Sequence, residues 1–470
     1  MSAASPDRSR SIPPEAWPPL ARLADAASRP VQRFFQVEAA SGILLLAAAA
    51  VALVWANSAW GDSYRALWHT PIGIRIGAFE FGRSLEWIVN DGLMVIFFFV
   101  VGLEIRREIH QGELSEWRRA ALPLVAAVGG MIAPAMLYMS TAGGRETHSG
   151  WGVPMATDIA FAIGVLTLLG RRVQPALRVL LLALAVIDDL GAILVIALFY
   201  SAGVSLGPLA VAAAAFVIIL ALRGLGVRNK LAYFAPALVV WAGVYGSGVH
   251  PAIAGVAIGF ITPVRAWLGP TGFVKRVRAP IDSLTEREPN PPSTHDVSVA
   301  LDRVSRMRRE ALSPAESLIH QLHPWVAFGI MPVFALANAG VKVDAVSLEG
   351  SALHVALGVT VGLVVGKPVG VLIASAVAVR LRLASLPASI GHRELLVLGC
   401  VAGVGFTMAL FVAQLAFLEP KLLAAAKLGV LAASACAGCA ALAFGRALLP
   451  NRPREGAAFS EAEAECSTAK

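Results

Sequence analysis

Asp188 and Asp189 stand side by side in the middle of an otherwise apolar run, ALRVLLLALAVIDDLGAILVIALFY, residues 176–200. One ionised Asp at the centre of a membrane helix costs about 2.5–3.5 kcal/mol. Two neighbours also repel, which drives their protonation apart. A pair kept at such a place is suited to hold a cation, a proton, or each in turn. A second charge out of place is Lys367, deep in VALGVTVGLVVGKPVGVLIASAVAV. A lone buried ammonium tends to lose its proton, and a carboxylate partner keeps it charged. Asp188 or Asp189 is the expected partner. Such a pair either braces two helices permanently or opens when a cation or proton arrives.

Thr157-Asp158 adds a third polar feature, within GWGVPMATDIAFAIG. Pro154 removes a backbone hydrogen bond there, and the glycines around it weaken a helix further. The run VLGCVAGVGFTMALF, with Gly399, Gly403 and Gly405, has the same character. Interrupted membrane helices expose half-helix ends, partly positive at N-termini and partly negative at C-termini. Asp158 is placed to balance the first kind, and Lys367 the second. Other polar groups are less decisive. Asn90-Asp91 falls near one end of an apolar run, as a hydrated helix end or part of an ion path. Glu104, Arg107 and Glu108 fall at the other end of the same run, where a solvated, salt-bridged helix end is the default. His250, His320 and His323 lie in or near loops; histidine as a residue type titrates near neutral pH, but a loop histidine is usually incidental.

The elements that carry these residues follow from hydropathy. The 470 residues are 57% apolar and 15% charged, whereas soluble domains carry about 25% charged residues. This is an all-α polytopic membrane protein. Apolar windows fall at about 37–57, 85–104, 120–140, 151–170, 175–200, 204–222, 230–247, 249–264, 322–341, 352–379, 393–418 and 421–447. Twelve spans put both ends of the chain on one side. That side collects 31 of the 39 Lys and Arg, and the other side 6. Positive charge marks the cytoplasm, so both termini are expected there. The two left inside spans are Lys367 and Lys427, and the latter is near enough to a span end to snorkel.

Segments 1–35 and 450–470 are polar and read as cytoplasmic extensions of a membrane domain over 36–449. The charged stretch 265–320 reads as a long cytoplasmic loop, disordered in part around Pro289-Asn290-Pro291-Pro292. Residues 71–85, PIGIRIGAFEFGRSL, alternate like a short β-hairpin on the outer side. The first apolar run begins too late for a secretory signal peptide and is expected to stay as a span. The four cysteines have neither zinc nor disulfide spacing. There is no compact basic domain for nucleic acid, no GxxxxGK[ST] phosphate loop and no HExxH. Primary pumping, metalloenzyme chemistry and resident cofactors are therefore not expected. An ion gradient is left as the energy source. An ionised Asp offers hard oxygen ligands to a small cation, and protonation ejects it. A cation channel, a Na+- or H+-coupled solute symporter and a Na+ sensor are the rival uses of the same residues.

The strings ATDIAFAIGVL, AVIDDLGAILVIA, SGVHPAIAGVAIGF, HPWVAFGIMPVFALANAGV, GKPVG and GVGFTMALF occur in this order over about residues 35–447. Together they resemble the NhaA-type Na+/H+ antiporters of bacterial inner membranes. The resemblance implies twelve helices with inverted repeats, spans 4 and 11 being broken and crossed. It implies that Asp189 is the main Na+-binding carboxylate and that Asp188 pairs with Lys367. Thr157 and Asp158 would be the polar pair of the broken helix, and Asp91 an acidic residue on the outer side. Glu104, Arg107, Glu108, His320 and His323 would form a cytoplasmic pH-regulating cluster, tuned by His250. Electrogenic export of Na+ or Li+ for more than one H+ is implied, by homodimers joined through the hairpin at 71–85. Three departures stand out. Ile319 replaces a glutamate of the pH cluster, with Glu316 nearly a turn upstream as a stand-in. The loop 265–320 is long, and the polar C-terminal tail is extra.

Overall fold

The computed structural model describes residues 39–76, 79–201, 203–227, 229–285, 293–343, 349–387 and 390–451. Segment 1–35, the proline run at 289–292 and nearly all of 450–470 lie outside them. Eight described helices are long and apolar enough to cross a membrane. They are α1 (Ala40–Asn57), α3 (Leu85–Gln111), α4 (Trp117–Thr141), α6 (Pro175–Phe199), α7 (Leu206–Gly224), α12 (Pro314–Asn338), α13 (Ser351–Arg380) and α16 (Pro420–Leu448). Most are apolar all round, as a helix must be when one side faces lipid and the other its neighbours. Pro123 and Pro134 sit inside α4 without ending it. That is tolerated where neighbouring helices resatisfy the freed carbonyls.

Two helix pairs bend sharply at short breaks. His148–Met155, a 3-10 segment, meets α5 (Ile159–Leu168) at 43°, and α14 (His392–Ala402) meets α15 (Phe406–Ala416) at 50°. Two apolar windows form shorter helices than their hydropathy predicts. Lys230–Gly246 contains α8 (Phe234–Gly246), and α9 is Ala252–Ile261. A 10-residue helix rises about 15 Å, half of a hydrocarbon core.

Between α1 and α3 lie a short amphipathic helix, α2 (Gly61–His69), and a β-hairpin. Strand β1 (Pro71–Ile76) pairs antiparallel with β2 (Phe79–Ser84), Pro71 opposite Ser84 and Ile76 opposite Phe79. Ser84 then caps the start of α3 by accepting the Trp87 N–H. The stretch 265–320 is not a plain loop. It contains α10 (Gly269–Thr285) and α11 (Thr294–Ala311), and α11 starts at a capping box of Ser293 and Asp296.

One large apolar cluster joins α1, α3, α4, α5, α6 and α12 to α16, and a smaller one joins α7 to α8. Close approach of α4 to α13 fixes the position of Lys367. A Cβ on Gly370 would overlap the backbone carbonyl of Gly129, and one on Gly129 would meet that of Gly370. Any larger residue at either position separates the two helices. Three π-type turns interrupt the long helices, at Ile88–Leu93, Val326–Ile330 and Gly362–Gly366. Such bulges are frequent at functional sites. The first contains Asp91 and the third ends at Lys367.

Candidate ion-binding site at the crossed helix breaks

The two bent pairs meet at their breaks. The Asp158 N–H donates to the Val404 carbonyl at 2.8 Å, backbone to backbone. Thr157 Oγ1 lies 2.9 Å from the Ala402 carbonyl. Asp158 is fully buried and accepts from both half-helices. Its Oδ1 takes the Phe161 N–H at 3.0 Å, and Oδ2 takes the Thr407 N–H at 3.1 Å together with the Thr407 hydroxyl. One carboxylate therefore caps the N-termini of α5 and α15 at once, where the helix dipoles are positive. The Lys367 ammonium donates to the Met155 carbonyl, at the end of the opposing 3-10 segment. The Phe406 N–H donates to Ser434 Oγ at 3.0 Å.

Asp188 and Asp189 lie on α6 beside this crossing, each 1% exposed. Lys367 Nζ is 2.7 Å from Asp188 Oδ2, with both side chains fully buried. Thr157 Oγ1 is 2.7 Å from the same oxygen. A hydroxyl has one proton, so Thr157 donates either to Asp188 or to the Ala402 carbonyl. Asp189 is different. Neither of its oxygens has a hydrogen-bond partner among the described residues, and Asp188 Oδ1 also has none. Buried carboxylate oxygens without donors are costly and ask for an explanation.

Asp189 and Asp158 line a cavity of about 790 Å3, which Glu104, Arg178 and His323 also line. Glu104 is far along α3 from the hairpin, so the cavity belongs to the end of the molecule opposite the hairpin. Arg107 and Glu108 lie one turn beyond Glu104. Glu108 is engaged there, accepting the Glu113 N–H at 2.7 Å. His320 is exposed on α12 and does not line the cavity. Glu316 is not a free replacement for the glutamate missing at Ile319. It forms a capping box with Ser313, accepting that residue's N–H and hydroxyl at 3.1 Å. Ile319 itself is buried against Leu103, Val264 and Ala315.

Toward the hairpin, His250 Nε2 is 3.5 Å from Asp91 Oδ1. The His250 ring packs edge-on against Phe411, which also touches Phe98 and Phe334. Asn338, fully buried, donates to Asn90 Oδ1 at 2.8 Å and accepts from Gln414. This amide chain ties α3, α12 and α15 together on that side. Thr407, Ser434, Asn338 and Gln414 were not singled out by sequence reasoning. Of these, Asn338 and Thr407 fell within quoted motifs, HPWVAFGIMPVFALANAGV and GVGFTMALF.

The family model described as Na+/H+ antiporter 1 matches residues 32–444. The chain belongs to this family, the NhaA-type Na+/H+ antiporters. It is 64% identical to the Na(+)/H(+) antiporter NhaA 2 of Myxococcus xanthus, over 100% of both chains. It is 51% identical to the protein of that name from Sorangium cellulosum, over 98% of both. With the one from Pseudomonas putida it shares 47%, over 91% of this chain and 95% of the relative.

Proposed function

We propose that this NhaA-type chain exchanges Na+ or Li+ for more than one H+ across the membrane by alternating access. The observation that carries the reading is Asp189, a buried carboxylate with no donor among the described residues, in the lining of the cavity of about 790 Å3. Deprotonated, it offers two hard oxygens to a dehydrated Na+, with Asp188 Oδ1 adjacent in sequence and equally free. Protonated, it is neutral and holds no cation, so Na+ and H+ compete for one group. The Lys367–Asp188 pair is the second protonatable position. A cation near Asp188 competes with Lys367 for the carboxylate, so cation binding opens the pair. Two such positions are what more than one H+ per Na+ requires, and the unequal charge makes the cycle electrogenic.

Asp158 and Lys367 leave the crossing without unbalanced helix ends, so half-helices can move around it at low cost. The cavity supports an inward-open state. The Asn90–Asn338–Gln414 chain and the aromatic cluster at Phe411 serve as the closed outer barrier in this reading. Residues 117–199 and 351–448 each run as long helix, bent pair and long helix, which supports an inverted repeat. Eight long helices, two bent pairs and two shorter apolar helices support twelve crossings with both termini on one side, and the Lys and Arg count favours the cytoplasmic side. The hairpin is the proposed dimer contact, since a two-stranded ribbon leaves edges open to pairing. Glu104 and His323, facing the cavity, are the best placed of the proposed pH-regulating groups.

A cavity of about 790 Å3 also has room for an organic solute, which makes a coupled symporter the second reading. Reconstitution separates the two. Proteoliposomes loaded with Na+ and diluted into Na+-free buffer should acidify inside, with no solute added. No acidification, with Na+ efflux that needs a second solute, would favour the symporter.

A further inference from the structure

A second cavity, of about 400 Å3, lies on the hairpin side of the molecule. It is walled by the ends of α1 and α2, the turn after α12 and the start of α16. Four cations line it, Arg65, Lys342, Lys421 and Lys427. That side of the chain has few cations to spend. Three of the six basic residues assigned to it from the sequence converge here, together with the membrane lysine Lys427. The wall is built rather than loose. Asn57 accepts the Val343 N–H at 2.8 Å and donates to the Val341 carbonyl at 2.7 Å, and the Tyr64 hydroxyl lies 2.8 and 2.9 Å from the carbonyls of Leu336 and Ala337 and donates to one of them.

The carboxylates nearby do not neutralise it. Asp62 pairs with Arg65 and lies 3.6 Å from Lys342, so it is shared between two cations. Glu86 is close enough for its field to reach Lys427 but does not line the cavity. Neither Lys421 nor Lys427 has an ion-pair partner among the described residues. The N-terminus of α16 adds to the same potential. Its N-cap, Glu419, makes no side-chain cap hydrogen bond, and Pro420 and Lys421 of its first turn both face the cavity. Uncapped N–H groups, two unpaired ammonium groups and a guanidinium around one space form an anion site.

We propose that this cavity binds an anionic phosphate group, carried by a phospholipid headgroup or free in solution. Apolar wall residues such as Leu423 sit beside the cations, which suits a headgroup with its glycerol attached. Binding here is independent of which ions the Asp pair exchanges.

The test uses the full-length protein in neutral detergent and follows thermal unfolding. Phosphatidylglycerol, inorganic phosphate and, as control, phosphatidylcholine are titrated separately. Phosphatidylglycerol should raise the melting temperature of the wild type more than phosphatidylcholine does. In Lys421→Gln/Lys427→Gln the half-saturating concentration should rise by about tenfold or more. Lys421→Arg/Lys427→Arg keeps the charge and should stay near wild type. Lys421 is exposed, so Lys421→Gln alone provides a folded variant that should show a smaller shift in the same direction. A response to inorganic phosphate with the same lysine dependence would assign the site to the free anion. Equal responses in wild type and the Gln variants, or none beyond the neutral lipid, would overturn the proposal. Na+-driven proton flux in the same preparations reports separately on the transport site.

Discussion

The site turns on how few groups satisfy so many charges. Asp158 accepts three donors, Asp188 has Lys367 and Thr157, and Asp189 has none among the described residues. Asp189→Asn should therefore leave folding intact and abolish Na+-driven proton flux in proteoliposomes, because a neutral amide cannot balance a dehydrated cation. Lys367 has the opposite profile. Removing one partner of a buried pair costs about 3–5 kcal/mol in soluble proteins. Lys367→Ala should lower the melting temperature strongly, and Lys367→Arg much less, since it keeps the charge with altered donor geometry. The double change Lys367→Ala/Asp188→Ala should be less unstable than the summed singles, and additive losses would deny the pair any coupling. The charged residues were legible because an apolar span makes each of them conspicuous. Thr407 and Ser434 were not, because a hydroxyl in a membrane helix is inexpensive and its partner is known only once the breaks cross. Ile319 was visible as a departure from the family pattern, but its surroundings were not. Its contacts with Leu103, Val264 and Ala315 mean that Ile319→Glu places a carboxylate in an apolar cluster. The expected result is loss of stability in thermal unfolding, and a gain would place water or a cation beside it.

At the level of elements, the breaks are held from outside their own helices. The start of α5 and the start of α15 share one carboxylate, so the two bent pairs form a unit. Asp158→Ala should destabilise more than Thr407→Ala, which leaves both backbone caps in place. A lost cap costs about 0.5–2 kcal/mol, and Asp158→Ala loses two. The amide chain on the hairpin side makes a separate claim. Asn338→Ala strips partners from Asn90 and Gln414, at about 1–3 kcal/mol for buried groups left unsatisfied. If the chain closes the outer barrier, the same variant should leak Na+ across proteoliposomes with no pH gradient, and a tight membrane would limit Asn338 to structure. The breaks could be read from Pro154 and the glycines at 399–405. The helices within 265–320 could not be read from hydropathy, because charge masked them. Their start signals, Ser293 with Asp296 and Ser313 with Glu316, were present at capping-box spacing.

For the whole molecule, the proposed exchange site lies between a cavity on one side and, in this reading, a packed barrier on the other. The cavity of about 790 Å3 is lined by Asp189, whereas on the hairpin side Phe411 packs on His250 and Gln414 bonds Asn338, the proposed barrier. Competition between Na+ and H+ at Asp189 is the claim on which the rest depends. It is tested most directly by the Na+ concentration that half-saturates transport, measured in proteoliposomes with pH equal on both sides. If Na+ displaces a proton from the site, that concentration should rise as pH falls, by about tenfold per unit for each proton displaced, while the saturating rate changes little. A half-saturating concentration that stays flat with pH, with the loss of activity falling on the saturating rate, would contradict a shared site and place pH control elsewhere in the molecule.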